Sequence, residues 1–105
     1  MPDGDLTRED IISLLRESRA RLSSLGVKSI GLFGSFVRGD SSSQSDIDIL
    51  VEFDRDKRTY DNFIDTCFFL EGLFARKVEV VTTDALSPYI EPHVLKEVEY
   101  VSLSA

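Results

Sequence analysis

Residues 32–54, LFGSFVRGDSSSQSDIDILVEFD, put two carboxylates, Asp46 and Asp48, at strand spacing inside the most apolar segment of the chain. Aspartate is a poor strand former, and a charge held beside a core is costly unless something compensates it. Successive strand residues point to opposite faces, so Asp46 and Asp48 share one face and Ile47, Ile49 and Val51 the other. The segment KVEVV repeats the arrangement, with Val78 and Val80 on one side and Glu79 on the other. If the two strands are neighbours, three carboxylates converge, and like charges at that range repel unless protonated or neutralised. A hard divalent cation such as Mg²⁺ is the natural neutraliser, because it takes carboxylate oxygens and keeps positions open for phosphate. Taken singly, each acid is more simply read as part of a wet strand face.

Gly34-Ser35 changes that weighing. A Gly-Ser pair that ends an apolar strand and opens a short helix aims backbone N–H groups and a hydroxyl at one spot, which suits a phosphate. Alone, it is an ordinary strand-to-helix turn with Ser35 as the cap. Here it is followed by ten residues and then by Asp46-x-Asp48. One spot would hold terminal phosphates while the other holds the metal that bridges them.

The elements that must position these groups follow from the hydrophobic pattern. Thr7, with acids after it, starts a helix over 7–25 carried by Ile11, Ile12, Leu15, Leu22 and Leu25 and stopped by Gly26. Val27–Phe33 reads as a strand, Phe36-Val37-Arg38 as a short helical stretch, and 40–45 as a polar loop. A strand over 46–53 and a charged turn over 54–58 lead to a helix over 59–75. Its apolar set is Tyr60, Phe63, Ile64, Cys67, Phe68 and Phe74, with Phe69 off that stripe and a candidate for partner surface. A strand over 77–82, helical turns at Ser87-Pro88 and Pro92, and a last strand or helix end over 97–103 complete the chain. The order predicts an α/β or α+β sandwich: a small mixed sheet with helices on one face. Cys67 reads as core and His93 as an exposed residue without a role.

Length and charge narrow the function classes. The 105 residues predict one domain, 1–105, and 42% hydrophobic with 30% charged residues is ordinary for a soluble protein. Twelve Lys and Arg against 19 Asp and Glu leave a net charge of −7, which argues against an extended nucleic-acid surface. A basic protein partner would be steered in favourably. One cysteine excludes an internal disulfide and any multi-cysteine zinc site. The acidic start, Met1-Pro2-Asp3-Gly4-Asp5, does not read as a signal peptide, and no apolar run reaches membrane-spanning length, so the expectation is a cytoplasmic protein.

The run Gly34-Ser35, ten residues, Asp46-x-Asp48 resembles the signature of the DNA polymerase beta-like nucleotidyltransferases. The surrounding LFGSFVRGDSSSQSDIDILVEF, with RKVEVVTTDALSPYIEPHVLKEVEYV near the other end, is similar to the MNT-type minimal branch, the antitoxin partners of HEPN-domain toxins. The resemblance implies an enzyme that transfers AMP from ATP, with two Mg²⁺ ions, to a tyrosine hydroxyl of a cognate HEPN toxin. It implies that Gly34 and Ser35 hold the nucleotide phosphates and that Asp46 and Asp48 coordinate metal. Glu79 would take the place of a third carboxylate, as ligand or base, where the family more often has Asp. Arg38 and Asp40 stand where the family often has a basic and an acidic residue; Arg38 would touch phosphate or pair with Asp40. A binding antitoxin that masks the toxin without catalysis is the rival expectation. Transfer to a small molecule such as an aminoglycoside, which normally needs a second domain, ranks third.

Overall fold

The structure is a computed structural model that describes residues 6–42 and 44–103. The acidic start and Ser43 of the polar loop, both read above, lie outside the described residues. Thr7 caps α1 (Arg8–Glu17) reciprocally: its hydroxyl accepts the Asp10 amide at 3.1 Å, and its own amide donates to Asp10 Oδ2 at 3.1 Å. The single helix expected over 7–25 is two helices, because α2 (Arg19–Ser24) begins after a break at Ser18. Ser18 and Arg19 fall where the apolar stripe should continue from Leu15, so burial does not hold the axis there. Serine also competes with the helix for its own backbone.

Three strands follow as expected, β1 (Val27–Phe33), β2 (Ile47–Phe53) and β3 (Val78–Thr82), and a short β4 (Glu99–Val101) joins them. β2 begins at Ile47, so Asp46 stands just before the strand rather than in it. The sheet order is β3-β2-β1-β4, with β1 antiparallel to both β2 and β4 and β2 parallel to β3. A parallel pair needs a crossover, which α4 (Tyr60–Phe74) provides. Thr59 caps α4 by accepting the Asn62 amide at 3.1 Å.

The main core lies between one sheet face and helices α1, α2 and α4. There Ile30, Leu32, Ile47, Ile49 and Val51 meet Ile11, Leu15, Leu22, Leu70 and Phe74. The apolar stripe of α4 differs from the expected one. Tyr60 and Phe68 are exposed, Cys67 is half-buried, and Phe69 packs against the core with Arg21 over its ring at 5.8 Å. Thr66 takes a core position because its hydroxyl donates to the Asn62 carbonyl at 2.7 Å, leaving only its methyl to bury.

The face that carries Asp48 also carries Leu50, which is buried outside the main core cluster. α5 (Glu91–Glu97) follows, with Pro92 near its start as the sequence predicts and Val94 as its buried residue. The stretch over 97–103 thus resolves into the end of α5 and β4. No helix among the described residues is long and apolar enough to cross a membrane.

Candidate active site

Strand register assembles the site. The parallel pair sets Glu79 beside Asp48, and the antiparallel pair sets Phe33, the last residue of β1, on the other side of Asp48. The chain leaving β1 therefore turns directly over the Asp48 carboxylate. Gly34 makes that turn at φ 82° and ψ −151°, a conformation that only glycine adopts readily. A Cβ on Gly34 would lie 2.9 Å from Asp48 Cγ and closer still to Oδ2. α3 (Ser35–Arg38) follows at once, and its first amides have no partner within the helix. The Ser35 hydroxyl makes no hydrogen bond among the described residues.

The electrostatics follow from that crowding. The Asp48 carboxyl is pushed up to about 6, first by burial, then by the negative charges of Glu79 and Asp46; Arg38 opposes the shift and Glu97 adds to it. Glu79 is exposed, so its charge is partly screened. Asp46 is half-buried and has Lys77 Nζ 3.9 Å from its Oδ2. Register thus sets Asp48 beside Glu79, and Asp46, just ahead of the strand, is near enough for its charge to act on Asp48.

Arg38 pairs with Asp40, one of the two partners open to it in the sequence, and also with Glu97, which was not among them. Its Nε lies 3.5 Å from Asp40 Oδ2 and its Nη1 3.4 Å from Glu97. Glu97 also accepts the Gly34 amide through Oε2 at 2.8 Å. Neither Glu97 nor Lys77 was a sequence candidate. Glu97 follows Gly34 by 63 residues, and nothing in VLKEVEYV sets one glutamate apart from its neighbours. His93 is exposed, as expected. Burial pushes the Cys67 thiol up, away from the thiolate form that reacts.

A pocket of about 250 Å³ is lined by Asp48 and Glu79 together with Phe33, Val81, Ile90 and Val94. A second pocket of about 230 Å³ opens at the other end of the strands, among Lys28, Arg55, Arg58 and Asp84. Its Arg58 is tied to Asp84 at 2.9 Å, and it is remote from the acidic cluster. Among the described residues, no three acidic, histidine or cysteine side chains form a ready cage for a metal ion. Mg²⁺ does not require one, since it commonly binds through one or two carboxylates plus substrate phosphates and water.

Comparison with known proteins agrees with this geometry. The nucleotidyltransferase domain family matches residues 12–101. Protein adenylyltransferase MntA of Thermococcus cleftensis is 40% identical over 97 residues, which cover 91% of this chain and 97% of the relative. A solved chain described as a candidate minimal nucleotidyltransferase superposes with a TM-score of 0.68 at 32% identity, over 84% of this chain and 93% of its own. A chain from a toxin–antitoxin crystal structure with AMP-PNP superposes with a TM-score of 0.64 at 25% identity, over 95% of this chain and 74% of its own. A turn of glycine over a strand carboxylate, set in this sheet and matched along most of its length, identifies the chain as a nucleotidyltransferase enzyme that belongs to the nucleotidyltransferase domain family.

Proposed function

We propose that this chain is an antitoxin of the cytoplasm, acting as one domain over 1–105, that transfers AMP from ATP to a hydroxyl, a tyrosine's, of a cognate HEPN toxin and thereby silences it. The observation that carries the reading is the meeting of Gly34 and Asp48. It brings a phosphate-sized turn and the paired carboxylates to one spot, so a single nucleotide could engage both. The similarity to an adenylyltransferase and to a chain of a toxin–antitoxin structure with AMP-PNP supports the nucleotide and the kind of partner.

The donor set fits Mg²⁺. Asp46, Asp48 and Glu79 offer only carboxylate oxygen, and burial with the negative charges around it pushes the Asp48 carboxyl up to about 6. These three residues would hold the metal, which when bound offsets their repulsion and the charge that develops in an in-line displacement at phosphorus. Ser35 and the first amides of α3 grip the phosphates beyond the reacting one, and Gly34 gives them room by carrying no side chain. Arg38, at the end of that turn, lies within reach of the same phosphates. Glu79, the most exposed of the three acids, faces the incoming hydroxyl and takes its proton. The hydroxyl oxygen forms a bond to the α-phosphorus as the bond to pyrophosphate breaks.

The acceptor is a protein because the mouth of the site is apolar and open. Tyr89 is 88% and Ile90 55% exposed beside the pocket that Ile90 helps to wall. The masking antitoxin is favoured by one observation, the Gly34 amide already satisfied by Glu97. Incubation of the cognate toxin with this protein, ATP and Mg²⁺, read by intact mass, tests the two. AMP added to a toxin tyrosine is the expected result. Neutralised toxin of unchanged mass would overturn transfer in favour of masking.

A further inference from the structure

The Gly34 amide is a donor that the Gly-Ser turn would be expected to offer a phosphate, and Glu97 has taken it at 2.8 Å. The same carboxylate meets Arg38 Nη1 at 3.4 Å through both of its oxygens. Gly34 and Arg38 stand at the two ends of α3, a helix of 4 residues that is too short to hold its shape unaided. The Glu97 side chain is only 24% exposed, so its bonds meet less competition from water than a surface pair would. A glycine makes room for the segment that carries it. Gly31 lies in β1 under the corner between α5 and β4, and a Cβ there would lie 2.6 Å from Val98 Cγ2. The absent side chain leaves room against β1 for Val98, the residue after Glu97.

We propose that Glu97 is a positioning residue for the nucleotide, a clamp that holds both ends of α3 and so aims the Ser35 hydroxyl and the first amides of the helix at the phosphates. The proposal rests on the nucleotide-transfer reading above. Glu97 touches neither the reacting phosphorus nor the acceptor; it acts through Gly34 and Arg38. The Gly34 amide is thus a fixed strut, and phosphate contacts fall to Ser35 and the residue after it. The bond to the Gly34 amide needs only an oxygen acceptor, whereas the contact with Arg38 needs the charge. Substitutions can therefore separate the two.

Glu97→Ala removes both interactions, and Glu97→Gln keeps an oxygen for the Gly34 amide while losing the charge. The measurements are amide hydrogen exchange residue by residue in the nucleotide-free protein, AMP-PNP affinity by calorimetry, and KM and kcat for transfer. In Glu97→Ala, exchange at Gly34 should accelerate while the amides of the β1–β2 ladder keep wild-type protection. AMP-PNP affinity should fall roughly 10- to 100-fold, the loss expected of a hydrogen bond to a charged group, with KM for ATP rising in step and kcat changing less. Glu97→Gln should restore most of the protection at Gly34 and part of the affinity. Wild-type exchange and affinity in Glu97→Ala would overturn the proposal. So would a uniform loss of protection and melting temperature with unchanged AMP-PNP affinity, which would make Glu97 merely structural. If wild type binds AMP-PNP but modifies no toxin, the transfer reading fails while exchange and affinity still decide the clamp.

Discussion

Gly34 passes so close over Asp48 that the hydrogen standing in place of its side chain points into the carboxylate. Gly34→Ala should therefore be among the most damaging single changes in the chain. The φ of 82° alone costs a non-glycine residue roughly 1–3 kcal/mol, and the added methyl must also displace the Asp48 carboxylate. Thermal melting should show the lost stability, and transfer should fall further than stability explains, because the methyl occupies the space proposed for phosphate. A variant with wild-type melting and wild-type transfer would contradict the close approach.

Asp48 makes the metal-free protein sensitive to pH in a definite direction. Its folded value of about 6 stands above the ordinary 3.8, so between those limits the folded state binds more protons than the unfolded chain. Stability therefore falls as pH rises through that window, and is recovered as pH drops back toward 4. Metal-free wild type should melt higher near pH 5 than near pH 7 in this respect, and Asp48→Asn should flatten the difference. The double change Asp46→Asn with Asp48→Asn should abolish transfer while melting at pH 7 no lower than wild type. A double variant that melts far lower would mean that these carboxylates support the fold.

Glu79 separates catalysis from masking. As a ligand or base, Glu79→Gln should leave toxin binding intact and slow transfer by roughly 10²–10⁴-fold, the usual worth of general-base assistance. Glu79→Asp, shorter by one methylene, should retain measurable transfer. Rate measurements on both variants, with toxin binding as the control, check this. Transfer by Glu79→Gln at the wild-type rate would leave position 79 without a chemical role.

Tyr89 and Ile90 should matter to the protein acceptor and not to the nucleotide. Replacing Tyr89 with Ala and Ile90 with Ser removes exposed apolar surface beside the pocket, the kind of anchor that commonly contributes more than ~1 kcal/mol at interfaces. Toxin binding and transfer should weaken about tenfold or more, with AMP-PNP affinity unchanged. Loss of nucleotide affinity with undiminished toxin binding would reverse the assignment.

The sequence alone determined what depends on local pattern. The caps at Thr7, the alternation that puts Asp48 and Glu79 on one kind of face, and the Gly34-Ser35 punctuation are all short-range properties. Each reads from a few neighbouring residues, and the resemblance to a family rests on the same short runs. Tertiary structure decided the rest. The register that sets Glu79 beside Asp48 belongs to a parallel pair closed only through α4, and alternation specifies a face without specifying a neighbour. The break at Ser18 and the exchange of Phe68 for Phe69 in the core follow from where the sheet lies relative to each helix, because spacing defines a stripe but not its exact direction. Glu97 was beyond sequence reach for the same reason. Its bond to Gly34 spans 63 residues, a contact made by folding and carried by no local signal, and Gly31 leaves room beside β1 for the segment that follows Glu97.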